Sequence, residues 1–504
     1  MLFNSYIFIL IFIPLCLLGY FLLNSFKRYI PAQFVLFSMS LWFYGYFNYR
    51  YLLIIIASIL INYGIYVSIG KLRDKNKSAK ALMILGVAVN LGILGFFKYT
   101  DFFLSTINQV FKSNIPLLKI VLPLGISFFT FQQISFIVDA YRGNVGKYKF
   151  IYYASFVAFF PQLIAGPIVT HDELITQFTD ESRKKFSFDS LVKGIFLFTI
   201  GLSKKVLIAD VLGAVVNYGY VAPERLNSGS AWIVILAYTL QIYFDFSGYC
   251  DMAVGLGKMF NIDLPFNFNS PYLSATITGF WDRWHMTLTR FFTKYVYIPL
   301  GGNRKGRIRT YLNIFIVFLL SGFWHGAGFT FILWGVMHGV FVIVTRIIKD
   351  IFKIHDKENE SAENKSIPVF LKILGLGASG LLTFIFVNIT WVFFRAESIP
   401  AAFNILRTAF SFKFAPVDPI ILNAFRTPEL VQLMAFANIE EKFPNIIPIG
   451  FMLVSTAIAF IPFNSKKMFE KFKPNALTLI FTIIFFIWSF LSLSGVSTFL
   501  YFNF

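Results

Sequence analysis

Apolar runs about as long as one bilayer crossing recur from one end of this chain to the other. A membrane-spanning helix needs about 20 predominantly apolar residues. The chain of 504 residues is 57% hydrophobic and only 14% charged, which is too much apolar surface for a water-soluble core of ordinary proportions. We therefore predict an all-α polytopic membrane protein with about 11 to 13 transmembrane or re-entrant helices. The candidate spans are 2–23, 29–47, 51–69, 81–97, 117–138, 151–169, 191–208, 231–244, 311–323, 329–347, 374–394, 447–461 and 477–493.

The distribution of basic residues predicts the topology of the chain. Basic residues cluster at 27–28 after the first span, at 71–80 after the third, and at 466–473 before the last. By the positive-inside rule these loops are cytoplasmic, so both termini are predicted to be extracytoplasmic. Two outer termini require an even number of crossings, so at least one of the thirteen runs must be re-entrant, interfacial or wrongly divided. The net charge of +19 thus reflects topology and does not predict a nucleic-acid partner, because the aromatic residues lie in apolar spans and not among the basic ones.

The regular alternation of spans and loops breaks down between 170 and 310. Pro265, Pro271, Gly301 and Gly302 interrupt the apolar pattern there. Irregular backbone at membrane depth is tolerated only where protein buries it or water reaches it. We therefore expect the substrate path in this region.

The sequence contains no convincing internal repeat and no low-complexity tract, so we predict a single integrated membrane domain over 1–504. We divide this domain into N-terminal helices (1–100), a core (120–396), an extracytoplasmic loop (397–445), and C-terminal helices with an external tail (446–504). The loop is moderately polar and contains several prolines, which is typical of a connection with amphipathic helices.

A histidine within an apolar stretch is the first residue that points to chemistry. Basic residues precede the span that begins at 311 and follow the span that ends at 347, which predicts a hairpin with both ends in the cytoplasm. His325 lies near the bend of this hairpin, where a polar side chain is rare unless it has a function. A buried neutral imidazole is a usable general base. The alternative is a structural histidine bonded to a neighbouring helix.

Glycines four residues apart, at the ends of 322–326 and of 335–339, predict close packing between helices. His338 lies at the edge of the second pair, and on one straight helix it would point away from His325. A supporting or packing role for His338 is therefore at least as well founded as chemistry. The other histidines in polar loops are expected at the surface: His171 and His355.

A second group of polar residues lies among the aromatic residues of 279–288. Asp282 and His285 are three residues apart, so on a helix they would share a face and the carboxylate could orient the imidazole. The alternative is an interfacial belt, in which the tryptophans lie at headgroup level and Arg283 extends towards the headgroups.

Two carboxylates, Asp245 and Asp251, close another apolar run. Acids inside a membrane usually pair or line a path, although Asp251 could also begin a helix outside the lipid. A metal site formed by Asp251, His285 and His325 is a weaker alternative, because no single segment has metal-ligand spacing. We therefore predict no metal.

Several of these motifs together resemble the membrane-bound O-acyltransferase superfamily, in particular its bacterial branch that works on envelope polysaccharides. Each motif is weak alone, but the set is specific and covers 122–396. Residues 1–100 match only in general character. The matching segments are FWHG at 323–326, 245–272, 281–297, YIPLGGN at 297–303, LPLGISF at 122–128 and FFPQLIAGPI at 159–168.

This resemblance implies a fold in which helices surround a thinned centre, with a tunnel that joins a cytoplasmic donor pocket to an external funnel. It implies that His325 is the catalytic histidine and that His285 is a second, less uniformly essential one. The ending at 499–504 resembles an FxYxxF motif whose tyrosine is proposed to carry the acyl group outside, so Tyr501 is a third candidate. The alternative for Tyr501 is an interfacial aromatic anchor. The candidate supporting residues are Asp282, Asp251, Trp324 and His338.

The resemblance implies an acetyltransferase of the bacterial cytoplasmic membrane, with acetyl-CoA as donor substrate and no bound cofactor. The expected final acceptor is an envelope polysaccharide, with peptidoglycan first and alginate or another exopolysaccharide second. Because the chain has no Gly-x-Ser-x-Gly elbow, we expect a separate extracytoplasmic O-acetyltransferase to complete the transfer. The rival class is a proton-coupled secondary transporter whose buried histidine and acids relay protons. The candidate donor-binding residues, whose alternative role is topology alone, are Arg304, Lys305, Arg307 and Arg309.

Overall fold

The computed structural model describes residues 1–72, 76–351, 369–436, 443, 445–493 and 499–500. Within these ranges the chain forms helices and no β-strand, which confirms the predicted all-α class. Three segments are π-helical: Phe8–Phe12, Lys204–Ala209 and Thr293–Tyr297. The α-helices are α1 Ile13–Ser25, α2 Tyr29–Gly45, α3 Arg50–Lys71, α4 Asn76–Phe111, α5 Ile126–Arg142, α6 Phe150–Ala158, α7 Phe160–Leu163, α8 His171–Thr179, α9 Phe188–Ser203, α10 Asp210–Val221, α11 Ser228–Met259, α12 Ile277–Trp281, α13 Met286–Phe292, α14 Arg307–His325, α15 Phe329–Ile351, α16 Val369–Arg395, α17 Ile399–Ala409, α18 Pro419–Ala424, α19 Pro428–Phe436, α20 Ile446–Phe460, α21 Ser465–Glu470 and α22 Ala476–Leu491.

Seven helices in the described part of the chain are long and apolar enough to cross a membrane. Two shorter apolar helices, α20 and α22, accompany them. Large apolar side chains such as Leu53 (72% exposed) and Leu477 (79% exposed) point away from the protein, as lipid-facing side chains do. The chain is therefore a multi-pass membrane protein. The seven helices are Phe8–Ser25, Arg50–Lys71, Ser78–Phe111, Ser228–Met259, Arg307–His325, Phe329–Ile351 and Gly377–Arg395.

Some of the apolar runs differ from the helices that they form. The run at 151–169 is divided into α6 and α7 at Phe159, whose backbone leaves the helical region (φ −54°, ψ 110°). The run at 117–138 becomes helical only at Ile126, after the left-handed Gly125. The run at 231–244 is part of the much longer α11. Local backbone geometry and burial, which hydropathy does not report, decide these divisions.

Contacts along the chain divide it into two compact units, and the single integrated domain predicted above stays a prediction. Unit 1 comprises Met1–Leu207, Asp245–Phe266 and Ser465–Phe504. In this unit the buried side-chain amides of Asn62 and Asn90 donate to each other, at 3.2 and 2.6 Å, and thereby join α3 to α4. Such pairing satisfies polar groups that lipid or an apolar core would otherwise leave unpaired.

Glycines set the crossing of α9 with the second half of α11 in unit 1. A Cβ on Gly201 would lie 2.5 Å from the carbonyl oxygen of Gly248, and a Cβ on Gly194 would lie 2.6 Å from that of Gly255. Only glycine permits the two backbones to approach so closely. The crossing places the residues that follow α9, Lys204 and the next lysine, against α11.

Unit 2 comprises Ile208–Phe244 and Asn267–Asn464. Its centre is the pair α14 and α15, and both α16 and α12 pack against α15. The hydroxyl of Thr239 donates to Oδ1 of Asn388 at 2.6 Å, and the carbonyl oxygen of Thr239 accepts from Tyr272 at 2.6 Å. These buried bonds hold α16 beside the first half of α11 and fix one wall of the region that contains the histidines.

Candidate active site

The hairpin predicted from the basic residues is present, with His325 as the last residue of α14. Helices α14 and α15 pack along their length. A Cβ on Gly322 would lie 2.4 Å from the carbonyl oxygen of Phe331, and a Cβ on Gly335 would lie 2.4 Å from that of Phe318. The two glycines therefore allow backbone-to-backbone contact one turn below the histidine. The orientation of the hairpin in the membrane stays a prediction.

The imidazole of His325 is 3% exposed and lies among aromatic rings. Its centroid is 4.8 Å from that of Trp324, 5.1 Å from that of Trp334 and 5.2 Å from that of Phe394. The interplanar angles of 72°, 86° and 72° make all three contacts edge-to-face, the geometry that aromatic rings prefer. We call these three rings the aromatic cage of His325. The three rings of the cage hold the imidazole in one orientation and carry no charge.

Gly326, the last residue of the FWHG motif, has no room for a side chain. Its backbone is extended (φ −162°, ψ 152°), and a Cβ there would lie 2.2 Å from the ring of Phe331. The Phe331 ring in turn contacts the cage at Phe394, with centroids 5.0 Å apart. Packing therefore explains the glycine of the FWHG motif, whereas packing does not require an imidazole at the preceding position.

His338 is fully buried, and both of its ring nitrogens have hydrogen-bond partners. Nε1 of Trp281 donates to Nδ1 at 3.3 Å, and Oγ1 of Thr390 lies 3.0 Å from Nε2. The Thr390 hydroxyl donates to the carbonyl oxygen of Val387 at 2.9 Å, so it accepts from the histidine. These partners assign the neutral tautomer with the proton on Nε2.

Trp334 connects the two histidines of the hairpin. Its ring centroid is 5.1 Å from that of His325 and 4.8 Å from that of His338. The two histidines contact the same indole because the chain turns between α14 and α15 and does not continue as one straight helix. This geometry favours the supporting role expected for His338.

His285 is completely buried and has a left-handed backbone (φ 45°, ψ 50°), which is uncommon for a residue other than glycine. Its carbonyl oxygen accepts from the amides of Leu288 and Thr289, so this residue begins α13. Burial lowers the pKa of its imidazole to about 3, which keeps the ring neutral at physiological pH. The ring of His285 lies 6.2 Å from that of Trp324, which belongs to the cage of His325.

The structure does not place Asp282 and His285 on one helix face. Helix α12 ends at Trp281, and a turn follows up to the left-handed His285. Asp282 is exposed whereas His285 is buried. The predicted shared face is therefore wrong, because the helix ends before a three-residue spacing can align the two side chains.

Asp282 borders an open depression of about 320 Å³ on the surface of unit 2. Two cations, Arg290 and Lys294, and the hydroxyls of Thr289 and Thr293 line it at helical spacing along α13 and the π-helical segment that follows. Its apolar wall includes Trp281, whose indole donates to His338. The depression thus combines groups that bind anions with a wall residue, Trp281, that is hydrogen-bonded to the buried His338.

The predicted donor-binding cluster lies at the start of α14. Nε of Arg307 is 4.0 Å from a carboxylate oxygen of Asp350, and Nε of Arg309 donates to the carbonyl oxygen of Leu300 at 3.4 Å. Such exposed basic groups suit either an anionic ligand or the topological role. The cluster residues are all exposed: Arg304, Lys305, Arg307 and Arg309.

Two buried lysines that the sequence analysis overlooked pair with the acids of α11. Lys204 Nζ lies 2.7 Å from Oδ2 of Asp251, and Lys205 Nζ lies 2.6 Å from Oδ1 of Asp245. Asp251 lies inside α11, so it does not begin a helix. The sequence contained a signal for this pairing, because two adjacent lysines lie within one apolar run and two acids follow another. All four residues belong to unit 1.

His171 is buried in unit 1 and does not lie at the surface as predicted. His171, expected at the surface, is 2% exposed, with Nε2 3.8 Å from Oδ2 of Asp139 and Nδ1 3.4 Å from the Tyr148 hydroxyl. It is buried because it opens α8 within unit 1 and its ring faces the carboxylate of α5. His355 and Tyr501 lie outside the described residues. Over the described ranges, no group of three or more His, Cys, Asp and Glu side chains is arranged to hold a metal ion.

Comparison with known proteins identifies the family. The sequence profile of MBOAT, the membrane-bound O-acyltransferase family, matches residues 126–384. The peptidoglycan O-acetyltransferase of Helicobacter pylori is 38% identical over 541 residues, which cover 100% of this chain and 98% of that protein. The probable alginate O-acetylase AlgI of Pseudomonas aeruginosa is 39% identical, over 82% of this chain and 75% of that protein.

A more distant relative matches a smaller share of the chain. The teichoic acid D-alanyltransferase of Bacillus subtilis is 29% identical over 43% of this chain and 57% of that protein. The matched residues 126–384 contain the His285 and His325 sites and make up more than half of the chain. The chain therefore belongs to the membrane-bound O-acyltransferase family and is an O-acyltransferase.

Proposed function

We propose that this enzyme transfers an acetyl group from cytoplasmic acetyl-CoA to a hydroxyl at the outer face of the bacterial cytoplasmic membrane, for O-acetylation of an envelope polysaccharide. The observation that carries the proposal is the position of His325, buried in its aromatic cage at the end of α14. An imidazole held in this way is a general base for a hydroxyl.

Peptidoglycan is the favoured acceptor. The Helicobacter pylori relative, named for peptidoglycan O-acetylation, aligns over nearly the full length of both chains. The alginate O-acetylases are about as identical but align over a smaller share of this chain, 82% for the Pseudomonas aeruginosa protein. Alginate or another exopolysaccharide is therefore the alternative acceptor.

In the proposed reaction, Nδ1 or Nε2 of His325 accepts the proton of the attacking hydroxyl. The hydroxyl oxygen attacks the thioester carbonyl carbon, so that a C–O bond forms and the C–S bond breaks. The CoA thiolate leaves and takes the proton from the imidazolium, which returns His325 to its neutral form. No oxidant, reductant or metal is needed for this balance.

The neighbours of His325 support it in different ways. Trp324 contacts both His325 and His285, so His285 is proposed as a second histidine near the reaction centre. Trp334 is held by contact with His338, whose own bonds fix its tautomer. Asp251 is proposed to support the enzyme by stabilising unit 1 through its ion pair with Lys204.

The depression bordered by Asp282 is proposed to hold the phosphates of the donor. Arg290 and Lys294 supply positive charge, and the threonine hydroxyls supply neutral donors. The indole of Trp281 lines the depression and donates a hydrogen bond to His338. The exposed cluster at 304–309 is the alternative contact for the donor, or serves topology alone.

The route beyond the histidine is proposed to pass through Tyr501 and then to a separate extracytoplasmic O-acetyltransferase. Support comes from the FxYxxF ending and from the predicted outer position of the C-terminus. A phenol with a pKa near 10 needs a base to become a nucleophile at neutral pH, which His325 would provide.

Incubation of the purified protein with radiolabelled acetyl-CoA tests the proposal. The parental protein should become covalently labelled, and acetylated Tyr501 should be detectable by mass spectrometry. Tyr501→Phe keeps the aromatic ring but removes the hydroxyl, so it should lose both the label and envelope acetylation at normal protein levels. Full envelope acetylation in this variant would show that the acetyl group does not stop on Tyr501. Comparing base-released acetate from muropeptides and from exopolysaccharide identifies the acceptor.

A further inference from the structure

Phe499 and Leu500, the last described residues of the chain, contact a buried ion pair in unit 1. Oδ1 of Asp245 accepts from Nζ of Lys205 at 2.6 Å, and Oδ2 accepts from the backbone amide of Leu500 at 2.9 Å. Asp245 is 1% exposed and Phe499 is completely buried. One carboxylate therefore binds both a lysine from the segment after α9 and the backbone of the C-terminal segment.

The same lysine also contacts the C-terminal segment through its ring. Nζ of Lys205 lies 4.6 Å from the centroid of Phe499, and the ring of Tyr249 meets Phe499 edge-to-face with centroids 4.7 Å apart. A cation above an aromatic face is held more strongly where water is excluded. The backbone and the side chain of the segment are thus bound to one group of three residues, Asp245, Lys205 and Tyr249.

A second ion pair in unit 1 offers a comparison. Asp251 lies on the same helix, six residues after Asp245, and pairs with Lys204 at 2.7 Å. Lys204 also bonds to the hydroxyls of Ser247 and Ser465, at 3.4 and 3.1 Å. Both pairs bury a lysine and a carboxylate, and the Asp245 pair binds Phe499 and Leu500.

We propose that Asp245 is a positioning residue, which together with Lys205 and Tyr249 forms a dock for the C-terminal segment. The ionised carboxylate gives the Leu500 amide a stronger acceptor than a neutral group would, and Lys205 balances the buried charge. The dock fixes the backbone directly before Tyr501. The existence of the dock is independent of the relay, whereas its consequence for acetyl transfer rests on the proposed function of Tyr501.

Carboxypeptidase digestion followed by intact-mass spectrometry tests the dock in the full-length, detergent-solubilised protein. In the parental protein, digestion should slow before Leu500, because release of that residue requires the dock to open. Asp245→Asn weakens the acceptor of the Leu500 amide and removes the ion pair with Lys205, so digestion past Phe499 should be about tenfold faster or more. Asp251→Asn disturbs the matched pair on the same helix and should accelerate digestion less than Asp245→Asn does. Only variants that remain monodisperse on size exclusion are compared.

Phe499→Ala keeps the proposal testable if Asp245→Asn does not fold. It removes the ring that Lys205 and Tyr249 contact and leaves both ion pairs in place, so digestion should again accelerate. Parental rates in folded Asp245→Asn and Phe499→Ala would overturn the dock, and so would equal acceleration by Asp245→Asn and Asp251→Asn.

The acetyl-transfer measurement separates the dock from the relay. Faster digestion with reduced transfer in Asp245→Asn supports the positioning role. Faster digestion with parental transfer supports the dock and overturns that role. Parental transfer in Tyr501→Phe would reject the relay without affecting the digestion result.

Discussion

The histidines of unit 2 and the lysines of unit 1 are buried to a similar extent but are held in different ways. His325 is enclosed by the rings of Trp324, Trp334 and Phe394. Lys204 and Lys205 each form a short ion pair with a carboxylate of α11. A neutral imidazole needs no counter-charge when it is buried, whereas an ammonium group does. The difference supports the proposed role of the histidine region in proton transfer and a structural role for the lysine region.

Removal of the base should have the largest effect on turnover. His325→Ala should lower acetyl transfer by about 10²- to 10⁴-fold, because alanine cannot accept the proton of the attacking hydroxyl. Protein level should stay close to parental, since a neutral alanine is well tolerated in an apolar environment. His285→Ala should cause a smaller loss. Both variants are measured by the label that they incorporate from acetyl-CoA. Parental activity in His325→Ala would contradict the proposed role of His325 as the general base.

Removal of one carboxylate should have the largest effect on stability. Asp251→Leu removes the carboxylate that pairs with the buried ammonium of Lys204 and should destabilise the protein by about 3–5 kcal/mol. The double variant Lys204→Met/Asp251→Leu should recover most of that loss, because it also removes the charge. Thermal unfolding in detergent measures both, and a double variant as unstable as the single one would contradict the assignment of the pair as structural.

A smaller effect is expected at the hydrogen bond that fixes His338. Thr390→Val leaves Nε2–H of His338 without its acceptor and should cost about 1–3 kcal/mol. Thr390→Ser retains a hydroxyl and serves as the matched control. If His338 supports catalysis through Trp334, turnover should fall in the valine variant and not in the serine variant; equal turnover in the two would limit His338 to packing.

The cations beside the histidine region should affect binding more than stability. Arg290→Ala should raise the Michaelis constant for acetyl-CoA by about tenfold, the equivalent of one charged hydrogen bond, with little change in unfolding temperature. Arg304→Ala tests the exposed cluster in the same assay. A rise only in the Arg304 variant would move the donor site to that cluster.

The smallest effect concerns an exposed ion pair in unit 1. Burial raises the pKa of Asp263, but hydrogen bonds from Lys258 and Arg183 outweigh burial, so the net shift is downward. Because an unfolded aspartate has a pKa of about 3.9, the carboxylate stabilises the fold above about pH 4. That contribution is lost as the pH falls through the lower folded-state pKa, and it is less than about 1 kcal/mol for so exposed a pair. Asp263→Asn should therefore flatten the acid side of a stability profile: it should lower stability slightly at pH 7, by less than about 1 kcal/mol, and leave stability unchanged below the folded-state pKa.

The sequence predicted the helical class, the hairpin of α14 and α15, and the family, because apolar run length, flanking charge and the FWHG motif are local signals. It did not predict the break between α12 and α13, since no glycine or proline marks the left-handed His285. It also missed the pairing of Lys204 and Lys205, because their partners come from a helix about 40 residues further along the chain. The Thr170-x-x-Glu173 capping box marks His171 as a helix start, but it does not report the burial of His171, which arises from packing against the carboxylate of Asp139.

The contact between Gly322 and Gly335 has a consequence for how turnover proceeds. Two backbones that touch one turn below His325 leave neither helix room to slide or rotate past the other. The proposed proton acceptor, His325, is therefore held in one place, and the reactants must move to it. Differences in substrate among relatives of this enzyme are then expected to arise in the routes that lead to His325, while the hairpin that holds His325 stays the same.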